Sequence, residues 1–199
     1  MEKFTFLSDD VSFLNSRLET LIKALTGESY VLFKDKVNFK PSGGKGFYAH
    51  YDGVFQFKKS DGILKNSWYE YAPRFLNVLV ALDDFTTENG PIEVSSSRSG
   101  DFPTLLMDAN CDGTPNLNSD ALRDCNFVPI LIRKGGLVVF KNTCPHRSGP
   151  NTSNSDRRSL YLTYNELVYG FNYHKYFSDK LESANSMKSL TGDLVSEKI

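Results

Sequence analysis

The sequence predicts an all-β core with flanking helices, folded as one domain over residues 1–199. Three observations support this prediction. The chain has 199 residues, which is enough for one substantial core and short of the length that suggests two. From about residue 29 onward the hydrophobic period is two, as in strands. Turn sequences then separate short β-rich segments, among them PSGGKG, TTENG, RKGG and SGPNTSNSD.

The elements follow from these periods in order. Residues 10–26 place apolar side chains at helical spacing behind an Asp9-Asp10 start, which predicts an amphipathic helix packed on a sheet. Strands are predicted at 29–40, 47–57, 74–84, 91–96, 127–132, 136–141 and 158–166. A second helix is predicted at 171–184, and the tail beyond about residue 187 is expected to be disordered.

Residues 98–125 form a polar, irregular segment between two predicted strands. A loop of that length is usually a lid, a binding loop or a mobile segment. The sequence leaves these three alternatives open.

Charge and composition exclude several classes of function. The net charge is −1, with lysines and acids spread along the chain, so the electrostatic signature of a nucleic-acid-binding protein is missing. Acids occupy the start, MEKFTFLSDD, where a secretion signal needs an apolar run, and LNVLVAL is far too short to cross a bilayer. We therefore expect a soluble, cytoplasmic protein with a small-molecule partner, no nucleic acid and no membrane. The sequence indicates no oligomeric state.

The three cysteines, Cys111, Cys125 and Cys144, are odd in number and far apart in the sequence. They form no CxxC pair, so neither a disulfide framework nor a zinc knot is indicated. We expect free thiols.

His50 and Asp52 lie two residues apart in the β-rich stretch AHYDGVFQF. In an extended strand they share a face and can present a nitrogen and an oxygen to one ion, although the pair can equally be the polar face of an ordinary strand. His146, in CPHRSGPNTSNSD, can supply a third ligand. Two histidines and one carboxylate on one face of an octahedron are typical of non-haem iron(II) oxygenases.

Such a centre has three open positions, two of which can chelate a 2-oxo acid. A guanidinium binds the distal carboxylate of that acid bidentately. Arg157 follows His146 by eleven residues, and Ser148 follows it by two, so an extended backbone places the serine hydroxyl on the face of the ligand. Arg158 should point the opposite way. The alternative is that the two arginines are a surface doublet.

The strand VLFKDKVNFK has two distinct faces. One face is expected to hold Lys34, Lys36, Asn38 and Lys40, and the other Phe33, Asp35, Val37 and Phe39. The lysine row is either a solvated outer face or an inward face that binds anions.

Taken together, these segments resemble the phytanoyl-CoA dioxygenase-like iron(II)/2-oxoglutarate oxygenases, from about residue 30 to 182. The resemblance rests on four segments: LFKDKVNFKPSGGKGFYAHYD, VLVALDDFTTENGPIEV, RKGGLVVF and PHRSGPNTSNSDRRSLYLTYN. The last segment is the most specific of them.

The resemblance implies a double-stranded β-helix, the cupin-like jelly roll, which agrees with the strand count. It implies His50, Asp52 and His146 as the catalytic iron(II) ligands, with 2-oxoglutarate and dioxygen as co-substrates. It further implies 2-oxoglutarate contacts from Arg157, Ser148 and Asn38. An inward Asn38 would turn the lysine row inward with it.

The implied reaction is a hydroxylation that releases succinate and carbon dioxide, because Asp52 occupies the position that a halogenase leaves open. The lysine row favours a small anionic substrate, and the motifs resemble family branches acting on aminophosphonates or similar polar acids. Expected substrate-binding residues are Lys36, Phe47 and Arg98. The alternatives are a jelly-roll metal-binding protein or metalloenzyme that does not use 2-oxoglutarate, and a non-catalytic binding module.

Overall fold

The computed structural model describes residues 2–3, 9–58, 62–98, 100–108 and 115–191. The strands within these residues are β1 Glu2–Lys3, β2 Tyr30–Lys40, β3 Phe47–His50, β4 Phe57–Lys58, β5 Leu64–Lys65, β6 Phe75–Ala81, β7 Ile92–Val94, β8 Val128–Pro129, β9 Leu137–Lys141, β10 His146–Ser148 and β11 Arg157–Glu166. The helices are α1 Asp9–Thr26, α2 Phe102–Asp108, α3 Ser119–Arg123 and α4 Tyr173–Thr191, with 3-10 turns at Ser67–Glu70 and Leu167–Tyr169.

The strands form two main antiparallel sheets. The larger sheet has the order β1-β2-β11-β6-β9 and the smaller the order β3-β10-β7-β8, while β4 and β5 pair separately. Side chains from both sheets line one cavity, with β2, β6 and β11 on one side and β3, β7 and β10 on the other. Two facing antiparallel sheets are the arrangement expected of a jelly roll.

Helix α1 covers the outer face of the larger sheet. Its Leu18 and Ile22 are buried against every second residue of β6 and β11, namely Leu76, Val78, Val80, Leu160, Leu162 and Tyr164. Burying each such side chain contributes roughly 1.5–3 kcal/mol. Because strand side chains alternate between faces, the intervening residues of the same strands must point into the molecule, toward the cavity.

Strand β2 departs from the predicted alternation at one residue. Its pairing with β11 shifts so that Lys34 is opposite Thr163 and Leu32 is opposite Tyr164, which leaves Phe33 as the extra residue of a β-bulge. The Phe33 ring lies 4.8 Å from that of Phe75. The predicted placement of Phe33 on the face opposite Lys34 was therefore wrong, since a bulge reverses the side on which the following residues point.

Several other boundaries differ from the predictions. The strand expected at 47–57 is interrupted after His50, and the one expected at 127–132 is only two residues long. The irregular segment 98–125 contains α2 and α3, although residues 99 and 109–114 lie outside the described part of the chain. Helix α4 continues past residue 187 to Thr191. The rest of the tail that was expected to be disordered, residues 192–199, lies outside the described part of the chain.

Two further sequence predictions concern cysteines and membranes. Cys125 and Cys144 are free thiols, as expected, whereas Cys111 lies outside the described residues. In the part of the chain that the structure describes, no helix has the length and apolar character needed to cross a bilayer.

Candidate active site

Strand pairing brings the two predicted histidine ligands together. In the antiparallel pair of β3 and β10, His50 stands directly opposite His146. Their ring centroids are 4.2 Å apart, a separation consistent with directly opposed residues of neighbouring strands. About a hundred residues of chain separate them in sequence, so only the sheet register makes them neighbours.

Asp52 reaches the same place from a turn. Its backbone N–H donates to the Asn142 carbonyl over 3.1 Å, and the Asn142 side-chain amide donates to the Asp52 carbonyl over 3.2 Å. Gly53 has φ +73°, and a Cβ on it would lie 2.3 Å from the Trp68 ring, so only glycine fits directly after the ligand. A glycine turn, and not the extended strand predicted from the sequence, therefore directs this carboxylate.

The three side chains form one group. Each offers a donor atom, and these atoms all lie within 4.8 Å of one another. The Asp52 carboxylate is 3.8 Å from His50 Nε2 and 3.5 Å from His146 Nε2. Metal–ligand bonds of about 2 Å at right angles separate neighbouring donors by about 3 Å, so small side-chain movements close the group around one ion.

Hydrogen bonds to backbone carbonyls orient both imidazoles. Nδ1 of His50 lies 2.7 Å from the Tyr48 carbonyl, and Nδ1 of His146 lies 3.1 Å from the Cys144 carbonyl. A carbonyl only accepts, so each Nδ1 carries the proton and each Nε2 presents its lone pair toward Asp52. The sequence did not identify these outer partners.

The protonation states also suit a metal. Burial first, and then the adjacent His50, lower the pKa of His146 to about 4 against the opposing effect of Asp52. Burial raises the pKa of Asp52, but the two imidazoles and then Lys34 and Lys36 hold that pKa below its usual value. Neutral imidazole and ionised carboxylate are the forms that bind divalent cations. Two nitrogens and one oxygen on one side of an open cavity fit a facial iron(II) site.

Asn77 is a functional residue that sequence reasoning missed. Its amide donates to Asp52 Oδ2 over 2.8 Å, and its own carbonyl oxygen accepts from the Thr163 hydroxyl over 2.9 Å. Asn77 on β6 and Thr163 on β11 both belong to the larger sheet, so this chain of hydrogen bonds fixes the carboxylate from the side opposite the histidines. The signal was available, because Asn77 is a polar residue in the apolar strand RFLNVLVAL.

Replacing Asn77 with alanine is expected to weaken iron(II) binding about 10- to 100-fold, because outer partners of a metal ligand typically have effects of that size. Calorimetric titration of the metal into the purified protein measures this loss, and a thermal melt records the change in stability. Unchanged metal affinity in a destabilised protein would mean that Asn77 serves packing alone.

The cavity beside the triad holds most of the other predicted site residues. Asn38, Ser148, Arg157, Lys36 and Phe47 line it together with His50, Asp52 and His146. The inward interpretation of the lysine row is confirmed for Lys36 and Lys40, which line the cavity with Asn38. Phe47 lies at the mouth with 54% of its surface exposed, so it is a wall residue of the entrance.

The two neighbouring arginines have opposite environments. Arg157 is buried in the cavity wall, donates from Nε to the Asn89 carbonyl over 3.2 Å, and lies 4.6 Å from the Phe85 ring. Burial lowers the pKa of Arg157 to about 10, and no carboxylate among the described residues pairs with it. Arg158 is exposed and binds both oxygens of Asp83 over 2.8 and 2.9 Å. Only Arg157 can present its guanidinium to a cavity anion.

Arg98, predicted to bind substrate, is not brought to this cavity. Its guanidinium donates to Asp108 over 2.7 Å and to Asp124 over 2.6 Å, and Arg98 is not among the described residues that line the cavity. The two aspartates neutralise it and join the ends of the segment predicted as a loop. The sequence could not show this, because the pairing depends on how 98–125 folds.

Three more cavity residues lay outside the predicted site. Lys40, predicted only as part of the lysine row, is buried at the end of β2, and Tyr161 is a buried residue of β11 that lines the cavity. The Ser159 hydroxyl is buried at the cavity wall with no hydrogen-bond partner among the described residues. An orphaned hydroxyl two residues after Arg157 fits a polar ligand in the cavity, and the period of two in RRSLY could have indicated it.

Comparisons with known proteins agree with this geometry. Residues 4–159 match the sequence profile of a family described as phytanoyl-CoA dioxygenase. The methylphosphonate hydroxylase of Gimesia maris is 29% identical over 171 residues, which are 85% of this chain and 58% of that protein. A 2-aminoethylphosphonate dioxygenase of the uncultured bacterium HF130_AEPn_1 is 31% identical over 163 residues, 81% of this chain and 56% of that protein.

A solved structure shows the same fold. The crystal structure of EctD from S. alaskensis with 2-oxoglutarate and 5-hydroxyectoine superposes with a TM-score of 0.63 at 20% identity, covering 84% of this chain and 57% of that one. At such low identity the likeness concerns the fold alone, and it confirms the predicted fold class. The chain spans a little over half the length of the two curated relatives.

Proposed function

The chain belongs to the phytanoyl-CoA dioxygenase family, and on that premise we propose that it is an iron(II)- and 2-oxoglutarate-dependent dioxygenase that hydroxylates a small phosphonate-like anion. One observation supports this most strongly: a His-Asp-His group and a buried arginine without a carboxylate partner among the described residues face the same cavity. Such a cation is suited to the distal carboxylate of a 2-oxo acid.

The protein side of the mechanism begins with the triad. His50, Asp52 and His146 would hold iron(II) through two imidazole nitrogens and one carboxylate. Bound iron, with 2-oxoglutarate and dioxygen, supplies the oxidation of a substrate C–H bond, and succinate and carbon dioxide are released. The hydrogen bonds of both imidazoles and of Asn77 keep the donor atoms aimed at one point, so little reorganisation accompanies binding.

The opposite end of the cavity binds the diacid. The Arg157 guanidinium presents parallel N–H groups to the distal carboxylate, with Ser148 and Asn38 as additional polar contacts on the same cavity wall. Leu79 and Ile92 supply apolar wall between the two ends. These apolar residues exclude water and so strengthen the charge interactions in the cavity.

The charge of the cavity supports an anionic substrate. Its described lining contains the cations Lys36, Lys40, Arg147 and Arg157 and one carboxylate, Asp52. Arg147 is paired with Glu93, and the bound diacid accounts for Arg157. Lys36 lies 5.3 Å from the Tyr161 ring and close enough to Asp52 to lower the pKa of that carboxyl group. It therefore lies beside the proposed metal site, where a second anion would bind. The names of the two curated relatives indicate phosphonates as that anion.

Replacing Lys36 with methionine is expected to raise the KM for a phosphonate substrate at least about fivefold, since a charge contact in a partly desolvated site contributes roughly 1 kcal/mol or more. The KM for 2-oxoglutarate should stay within about twofold. Succinate release at varied concentrations of each substrate measures both values. Lys134→Met, at an exposed lysine, is the matched control, and equal KM values in the two variants would place Lys36 outside the substrate site.

Anaerobic titration with iron(II) and 2-oxoglutarate tests the proposed function directly. We expect a weak visible charge-transfer band at about 500 nm, as for a 2-oxo acid chelated at an open site. Metal binding without this band would favour a metalloenzyme that does not use 2-oxoglutarate, and no metal binding would favour a non-catalytic module. Succinate release is then measured in the presence of methylphosphonate, of 2-aminoethylphosphonate and of an acyl-CoA. We expect the acyl-CoA not to stimulate it.

The cellular setting stays a prediction. A single domain over residues 1–199 and a cytoplasmic location are expected from the sequence. Because the curated relatives are longer, the proposal concerns the cavity described here and the activity of this chain as it stands.

A further inference from the structure

Lys40 is a buried lysine at the diacid end of the cavity. Only 4% of its surface is exposed, and its ammonium donates to the Ser148 hydroxyl over 2.8 Å, to the Gly149 carbonyl over 2.5 Å and to the Gly90 carbonyl over 3.2 Å. Buried lysines are almost always paired with a carboxylate. Within the described residues no carboxylate forms an ion pair with this one, and the charged neighbour that most affects it is another cation, Arg157.

The turn that contains Asn89 and Gly90 holds both cations. The Asn89 carbonyl accepts from Arg157 Nε over 3.2 Å, and the next carbonyl, that of Gly90, accepts from Lys40 Nζ over 3.2 Å. Gly90 has φ +63°, and a Cβ there would lie 2.4 Å from the Gly149 carbonyl oxygen, so the turn requires glycine. Two consecutive carbonyls therefore set the spacing of two like charges, an arrangement that favours an anion between them.

The contact between Lys40 and Ser148 sets the direction of a hydrogen bond. An ammonium has donors and no acceptor, so the Ser148 oxygen must accept from Lys40. The serine proton is then left to donate elsewhere, and Ser148 lines the cavity beside Arg157. The hydroxyl is thereby held as a donor for an anion in the cavity.

We propose that Lys40 is a positioning residue for 2-oxoglutarate, which fixes the Ser148 hydroxyl as a donor to the distal carboxylate and adds a second positive charge beside Arg157. This inference rests on the proposed function. It gives a role to Lys40 and to the ENG turn, for which the His-Asp-His triad provides none. Lys40 acts through Ser148 and through its charge and does not bind the metal.

The main test replaces Lys40 with methionine, which keeps most of the length of the side chain and removes its donors and charge. We expect the Kd and KM for 2-oxoglutarate to rise roughly 10- to 100-fold, as for the loss of a hydrogen bond to a charged group, with kcat at saturating 2-oxoglutarate within about threefold. Iron(II) affinity should be unchanged. Lys40→Arg, which restores the charge, should recover part of the loss.

A double-mutant cycle with Ser148→Ala separates positioning from simple charge. If Lys40 acts partly through the hydroxyl, the Kd of the double variant is lower than the product of the two single effects predicts. Full additivity would overturn the positioning role.

A pH profile provides a second test, and its first part needs only the wild-type protein. Burial first, and then Arg157, lower the pKa of Lys40 to about 8, against a smaller opposing effect of Glu93. Raising the pH through about 8 removes the Lys40 proton, so kcat/KM for 2-oxoglutarate should fall on the alkaline side. The Lys40→Met variant should lack this step.

The outcomes distinguish this inference from the proposed function. Wild-type protein that shows no 2-oxoglutarate-dependent band overturns both. Wild-type protein that binds 2-oxoglutarate, together with a Lys40→Met variant of equal affinity or a wild-type profile that is flat from pH 7 to 9, overturns the role of Lys40 alone.

Discussion

Replacing Asp52 with alanine is expected to lower iron(II) affinity by well over about a hundredfold and to abolish succinate release. Asp52 is the carboxylate of the group and the only one that lines the described cavity, so its loss leaves two neutral imidazoles for a divalent cation. Removing a direct ligand costs more than removing an outer partner, whose loss typically costs 10- to 100-fold. Metal titration and succinate release measure the two effects.

Asp83→Ala is the matched control for this variant. The Asp83 carboxylate also accepts side-chain hydrogen bonds, but it accepts them from the exposed Arg158 and does not line the cavity. The control should keep its iron affinity and turnover, and both variants should stay folded by circular dichroism. Turnover retained in Asp52→Ala would remove Asp52 from the ligand set, and halide binding by that variant would show that the position had been opened.

Replacing Arg157 with alanine is expected to raise the KM for 2-oxoglutarate at least about a hundredfold, which corresponds to about 2.7 kcal/mol. Its guanidinium is buried beside Phe85 and has no carboxylate partner in the described part of the chain. A bidentate, charge-assisted contact in such a site is among the strongest polar interactions that proteins make. Iron(II) affinity should hardly change, because Arg157 belongs to the other end of the cavity.

Arg158→Ala provides a control of the same residue type one position away. Arg158 is exposed and paired with Asp83, a kind of surface pair that contributes roughly 0–1 kcal/mol to stability. Its KM for 2-oxoglutarate should therefore equal that of the wild type. Equal increases in the two variants would show that the diacid does not bind at Arg157.

The local elements of this fold could be predicted well from sequence. Helix α1, the period of two in β6 and in Lys34–Lys40 of β2, and the opposite directions of Arg157 and Arg158 were all predicted from spacings of one to four residues. These spacings reflect the geometry of a single helix or strand, so no partner element needs to be known.

The candidate site was predicted in part. The histidines, Asp52 and Arg157 were identified from residue type and from the resemblance of the motifs, and the structure places them around one cavity. Asn77 was not assigned a role, and Lys40 was predicted only as a member of the anion-binding lysine row, because their individual roles depend on which backbone and side-chain atoms face them across the fold. Arg98 was expected to bind substrate because the sequence does not show that Asp108 and Asp124 pair with it in the folded protein.

By itself, the sequence determined the type of most elements and the chemistry available to the protein: two imidazoles, a carboxylate, and a row of cations on one strand face. Only the tertiary structure decided how these groups meet. The register of β3 against β10 places His50 opposite His146, a glycine turn directs Asp52, a bulge turns Phe33 inward, and the Asn89-Gly90 carbonyls hold two cations side by side. Side-chain periodicity is a property of neighbouring residues, whereas register and convergence are set by packing between segments far apart in the chain.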